Sequence, residues 1–323
     1  MKTLSTYILI ASAVVVSVFT ATAETFEPLR YGDFEQWVTR DIHESAVIGG
    51  KHKTVYAVGP QAKLSGNNPY IPQGGTPWAS SNVMAKVCGV VKTSNAVFPD
   101  TVAGGGRCAR LSTILEECKA IGIINIKVLV AGSLFLGRMF EPITSTSDPY
   151  SKMEMGVKYT KCPDALCFDY KLYMPAGDTR IYSSGFGRKR TLQGHDNAEA
   201  LILLQRRWED ADGNLYAHRV GTGREQFGTT THGWQRRHLT PIHYGNITGQ
   251  SYFKPNMGLL DEEHSYYARN SKGKMVPVRE VGWDAPGTAP THVIVMFSAA
   301  SGEPYTGTLG LTMWVDNVAF YFK

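Results

Sequence analysis

Short apolar runs, cut apart every few residues by glycine, proline, asparagine and serine, constrain this chain more than any other feature. VMAKVCGVV, INIKVLVAG, FDYKLYM, ALILLQRRW, THVIVMF and the closing LTMWVDNVAFYF are rich in β-branched and aromatic residues. That is the signature of strands rather than of amphipathic helices. No alternation with helical segments accompanies them, so an all-β sandwich or barrel is expected rather than a set of βα units. Helix should be scarce, and LSTILEECKA (111–120) is the best candidate for a turn or two. RRWEDADGNLYAHRV reads as a hairpin turning at Asp212-Gly213. Asp210, Asp212 and Asn214 superficially suggest a calcium loop, but the glycine comes one place early and position twelve is Gly221, not glutamate. The tracts near 45–80 and 222–290 read as long loops decorating one sandwich.

The last run carries its own puzzle, because Asp316 and Asn317 interrupt it. Alternation from Leu311 puts Leu311, Met313 and Val315 on one face and then Asn317 beside them. One extra residue at Asp316–Asn317 returns Val318, Phe320 and Phe322 to the apolar face, so a β-bulge is expected there.

The start, MKTLSTYILIASAVVVSVFTATA, has an early cation, an apolar stretch and small residues before a cut after Ala23. It reads as a secretory signal peptide over residues 1–23, leaving 24–323 as one large domain. No later run is apolar for the roughly 18 residues a membrane helix needs. Export to the periplasm, the cell surface or the medium follows. The formal charge is +5 and the cations are scattered, which leaves no footprint for nucleic acid. Five cysteines are too few for a disulfide scaffold and odd in number. Cys162 and Cys167 are close enough in sequence for a local bridge, with buried free thiols as the alternative.

Several stretches together resemble one family, the putative carbohydrate metabolism domain common in exported proteins of glycan-degrading Gram-negative bacteria. They are YGDFEQW, TPWASSN, GRCARLST, AGSLFLGRMFEP, DNAEALILLQRRW and PTHVIVMFSAASGEPYTGTLGLTMWVDNVAFYF. The resemblance implies a jelly-roll β-sandwich similar to carbohydrate-binding modules, with little helix, and a role in glycan handling. Many carbohydrate-binding jelly rolls hold a structural calcium between a GxFE-type first strand and a VDN-type last one. By that likeness Asp33, Glu35 and Asp316 are the expected metal ligands, and calcium, which takes about six to eight oxygens, suits them. The alternative is that Asp316 bonds backbone amides freed by the bulge.

For the ligand, Trp78, Trp234 and Trp283 lie in Gly/Pro-rich surroundings. Sugars stack on such rings while polar groups catch hydroxyls, and Trp78 with Asn82 is the best pair. A plugging role for each ring is the competing reading. No catalytic residue is assigned. Glu116-Glu117, Glu209-Asp210-Asp212 and Asp261-Glu262-Glu263 read as solvated runs, and nothing in sequence brings two carboxyls across a cleft. His243, Tyr252, Lys254 and Arg237 only faintly resemble a lyase set, and His232, His238 and His243 lack metal-site spacing. The expectation is therefore an exported, non-catalytic glycan-binding protein whose partner is a glycan or polysaccharide. The alternatives are a glycoside hydrolase or polysaccharide lyase on the same sandwich, and a structural or adhesive surface component.

Overall fold

The computed structural model describes residues 23–120, 124–145, 147, 150–185 and 187–323; the expected signal peptide lies outside the described residues but for Ala23. Among the described residues there is no α-helix, and two short 3-10 turns are the only helical elements. Two large sheets dominate. The first runs Ser184–Gly185, Ile124–Ala131, Arg107–Ala120, Thr312–Phe322, Ala165–Tyr173, Gln235–Pro241, with Thr25–Pro28 paired to the closing strand and Val97–Thr101 to Arg107–Ala120. The second has at its centre His292–Ser298, Ala198–Glu209 and Leu215–Phe227, followed by Met275–Trp283, which runs parallel to Leu215–Phe227. The result is a sandwich-like all-β fold.

The strand Ala198–Glu209 shows why. Ala198, Ala200, Ile202 and Leu204 point into the main core, where they meet Leu166, Phe168, Met313, Val315 and Phe320 of the other sheet. The intervening Leu201 and Leu203 join a second cluster with Phe135, Met155, Tyr266 and Ile294. A strand covered on both faces needs an unbroken apolar run, and ALILL supplies it.

The closing strand bends where its pattern slips. Asp169 pairs with Asp316 and Cys167 with Ala319, so Phe168 alone faces Asn317 and Val318. Asn317 takes φ +52° and is exposed, while Val315, Val318 and Phe320 share the core. The expected bulge is present. The first strand lies beside this last one, Thr25 opposite Phe322 and Pro28 opposite Ala319. The hairpin also forms, with Glu209 opposite Leu215 and the Asp210 carboxylate accepting the amides of Asp212 and Asn214.

Two expectations are corrected and one open alternative is decided. LSTILEECKA is strand, not helix: it belongs to Arg107–Ala120, where Thr113–Ala120 pair with Ile124–Ala131 and Leu111 and Ser112 with the closing strand. Cross-strand pairing overrides the helical propensity of Leu, Glu and Lys. The tracts at 45–80 and 222–290 are not mere loops. His52–Val58 and Ala62–Ser65 flank Trp37–His43 in a separate three-stranded sheet, and Met275–Trp283 extends the large one. All five cysteines are unpaired, Cys162 exposed and Cys167 buried, so no bridge joins them.

Gly132 is where the chain leaves one sheet for the other, between Ile124–Ala131 and Ser133–Met139. A Cβ there would lie 2.4 Å from the Ala96 carbonyl oxygen and 2.5 Å from the Ser112 nitrogen. Both are backbone atoms held in the crossing by hydrogen bonds. Gly132→Ala is expected to destabilise by about 1–3 kcal/mol or more in urea titrations, because neither neighbour can swing aside.

Candidate functional site

Antiparallel pairing places Glu116 opposite Val128 and Cys118 opposite Ile126, so these four side chains share one face. That face forms one wall of a cleft of about 350 Å³. The hairpin Val83–Val87/Val90–Ser94 and the loop through Ser301–Tyr305 complete the near side. The far wall comes from the outer face of the second sheet, with Glu199, Arg224, Tyr266 and Met296. One strand thus sends Ala198 and Ala200 to the core and Glu199 to the cleft.

Glu199 is buried and doubly bonded to Arg224, whose Nε and Nη2 donate at 2.7 and 3.0 Å. Burial pushes its carboxyl up, against the pull of the guanidinium. Burial likewise opposes the Arg224 charge, but Glu199 more than offsets it and holds Arg224 above its usual value. Glu116 is different. Burial among aliphatic side chains pushes its carboxyl up, with Lys92 only partly countering at 3.7 Å. Lys92 is drawn the other way, to Glu44 at 3.0 Å. Glu44 itself is pushed up by burial, yet the Thr93 amide and hydroxyl and Lys92 hold it below the usual range. Tyr150 and Tyr266 meet edge to face at 6.0 Å, and burial pushes the Tyr150 phenol up to about 12. Of the four glutamates that line the cleft, Glu117 and Glu303 are exposed, whereas Glu116 sits among apolar groups and Glu199 in an ion pair.

The loop that rims the cleft is pinned by Asp196. Its Oδ1 accepts from the Ser301 amide at 3.2 Å and hydroxyl at 3.1 Å, and its amide donates to Thr308 Oγ1 at 2.9 Å. The stretches DNAEA and SAASGEPYTG, far apart in sequence, thus meet here.

The residues singled out from sequence fall elsewhere. Trp78 is buried in the core, edge-on to Phe34 at 5.3 Å, with its Nε1 donating to the Arg30 carbonyl. Asn82 is buried too, donating to the carbonyls of Tyr56 and Val97 and accepting from the amides of Ala96 and Val97. Neither presents a free face, so this pair is a plug and a clamp rather than a sugar surface. Trp234 is half-buried between Lys171 and Arg236, and Trp283 lies over Arg219. No ring contact among the described residues joins the three tryptophans. Of the lyase-like set, His243 stacks on Tyr252 at 4.0 Å, whereas Arg237 lies over Phe26.

At the bulge, Asp316 is buried and its carboxyl is pushed up to about 7, by burial first and then by the charge of Asp169. Asp169 accepts from Arg236 at 2.8 Å, from the Arg237 amide at 2.6 Å and from Asn317 at 3.0 Å. Asp33 and Glu35 are exposed, Glu35 accepting the Arg107 amide. Among the described residues no group of three or more His, Cys, Asp or Glu is placed to hold a metal ion.

Sequence reasoning set Glu116 aside as part of a solvated run and missed Glu199 and Asp169. Glu199 had a signal, being an acid inside an otherwise apolar strand, AEALILL. Glu116 had none, because it sits in a polar run and the fold alone half-buries it.

A family model described as "Putative carbohydrate metabolism domain" matches residues 51–228, more than half of the chain. One solved structure, described as a putative glycoside hydrolase from Bacteroides thetaiotaomicron, is 17% identical with a TM-score of 0.44. The match covers 85% of this chain and 76% of that one, a likeness too loose to carry an argument. No curated protein matches the chain.

Trp78→Ala is expected to cost about 3–5 kcal/mol of stability, read by denaturant titration. Any loss of ligand binding in that variant should track its unfolding.

Proposed function

Because the chain belongs to the putative carbohydrate metabolism domain family, we propose that it takes a glycan into this cleft and hydrolyses a glycosidic bond there. The observation that carries the reading is the presence of Glu116 and Glu199 in one concave site. Glycoside hydrolysis needs two carboxyl groups with different environments. Glu116, whose carboxyl is raised by its apolar surroundings, is the general acid. Glu199, ion-paired with Arg224, is the carboxylate partner. We take the sandwich to be of jelly-roll type and the chain to be exported, the latter supported by its leader-like start.

One observation favours binding without turnover: both oxygens of Glu199 are already held by Arg224. A panel of plant and host glycans separates the two readings, since release of new reducing ends is expected for hydrolysis and none for binding alone. Glu116→Gln should lower kcat/KM by roughly 100-fold or more while leaving the melting temperature close to that of the parent. The acid must be protonated to act, so the parent rate should fall as pH rises through the elevated pKa of Glu116, and this limb should vanish in Glu116→Gln. Glu199→Gln is a poorer probe, because it would strand the half-buried Arg224 charge and so destabilise the fold itself.

Calcium at the bulge of the closing strand is a separate proposal, supported by a buried acid, Asp316, beside a second one, Asp169, on the neighbouring strand Ala165–Tyr173. If it binds, calcium raises the melting temperature and excess chelator lowers it. An unchanged transition would instead leave Arg236 and the bulge amides as the groups that hold these acids.

A further inference from the structure

Two apolar clusters face the cleft without closing on each other. On one side Val90 and Ile126 are buried, with Val87 and Val128 packed against them and half-exposed. On the other, Met139, Met153 and Met296 are half-exposed over the cluster that contains Phe135 and Tyr266. All of these line the same cleft of about 350 Å³. A concave, mostly apolar site with a few polar groups is the kind of place where a small ligand binds. Burying its apolar surface with a ligand is favourable by about 25 cal/mol for each Å².

A bare sugar is the wrong cover for most of it. Sugar hydroxyls need hydrogen-bond partners when they leave water, and valine and methionine side chains provide none of the donors or strong acceptors required. Polar groups also line the cleft, and among them Glu116 lies opposite Val128 on one wall while Glu199 pairs with Arg224 on the other. The walls suit a chain and the charged groups suit a polyol.

We propose that the ligand of this cleft is an amphiphilic glycoside, with an aliphatic aglycone between the valine and methionine walls and its sugar towards Glu116 and the Glu199–Arg224 pair. The inference rests on the glycan-handling reading of this cleft and deepens it by naming the substrate class. Methionine walls are compatible with chains of differing length, since the unbranched side chain repacks readily.

The test is a calorimetric titration of the full mature chain with n-alkyl thioglycosides of glucose, galactose and N-acetylglucosamine, methyl to octyl, kept below their micellar concentrations. Thioglycosides resist hydrolysis, so affinity is read apart from turnover. Affinity for at least one sugar should rise roughly two- to fourfold for each added methylene. Val128→Ser and Met296→Thr, on opposite walls, should each flatten that dependence while binding of the methyl compound is retained. An octyl compound that binds no tighter than the methyl one overturns the proposal, as does failure of the whole series to bind. Equal affinity for n-octanol and for the octyl thioglycosides overturns its sugar half. The wild-type chain-length series stands even if a variant fails to fold. Hydrolysis of unsubstituted oligosaccharides with no chain-length effect would sink this inference and leave the hydrolase reading intact. A steep chain-length effect without reducing-end release from any glycan would do the reverse.

Discussion

Burial of one strand, Ala198–Glu209, on both of its faces organises the molecule. Ala198, Ala200, Ile202 and Leu204 close the main core against the other large sheet, Leu201 and Leu203 build the second cluster, and Glu199 reaches the cleft. A strand in that position cannot keep a polar face, so any charge on it must be neutralised in place. Glu199 meets that requirement through Arg224 on the neighbouring strand, and the uncharged Gln205 is satisfied by donating a hydrogen bond to Glu280. Arg219 completes the second arrangement by pairing with Glu280 and bonding Thr222. The Glu199–Arg224 pair that lines the cleft is thus locked before any ligand arrives, which is what a preorganised site requires.

The cleft arises because neighbouring elements stop short of covering this face. The eight-stranded sheet supplies Glu116 and its valine and isoleucine neighbours, while the ten-stranded sheet supplies Glu199 and the methionines. The same aliphatic environment raises the Glu116 carboxyl and offers a surface for an alkyl chain. Acid strength and ligand preference therefore share one physical origin, the removal of water from around that wall.

The fold was legible in the sequence wherever one element's pattern admitted a single solution. The slip in LTMWVDNVAFYF could be repaired only by an extra residue, and the bulge lies there, with Asn317 at positive φ. Asp212-Gly213 between two apolar runs marked a hairpin that forms as expected. LSTILEECKA misled because helix and strand propensities compete over so short a run, and its pairing partner decides. Trp78 misled for another reason. A tryptophan flanked by glycine and proline looks loop-borne and accessible, yet the ring turns inward and donates to the Arg30 carbonyl.

The chain on its own determined that strands would prevail, where the last of them would kink, and that the family's motifs would recur along it. Those properties depend on residues near one another in sequence and on their alternation. Only the tertiary structure decided which acids matter. Glu116 and Glu199 lie in separate strands of different sheets, and their burial, ion pairing and shared cavity follow from packing between segments far apart along the chain. Electrostatic environment is a property of that packing, so a glutamate in a polar run gives no sign beforehand that folding will surround it with valine.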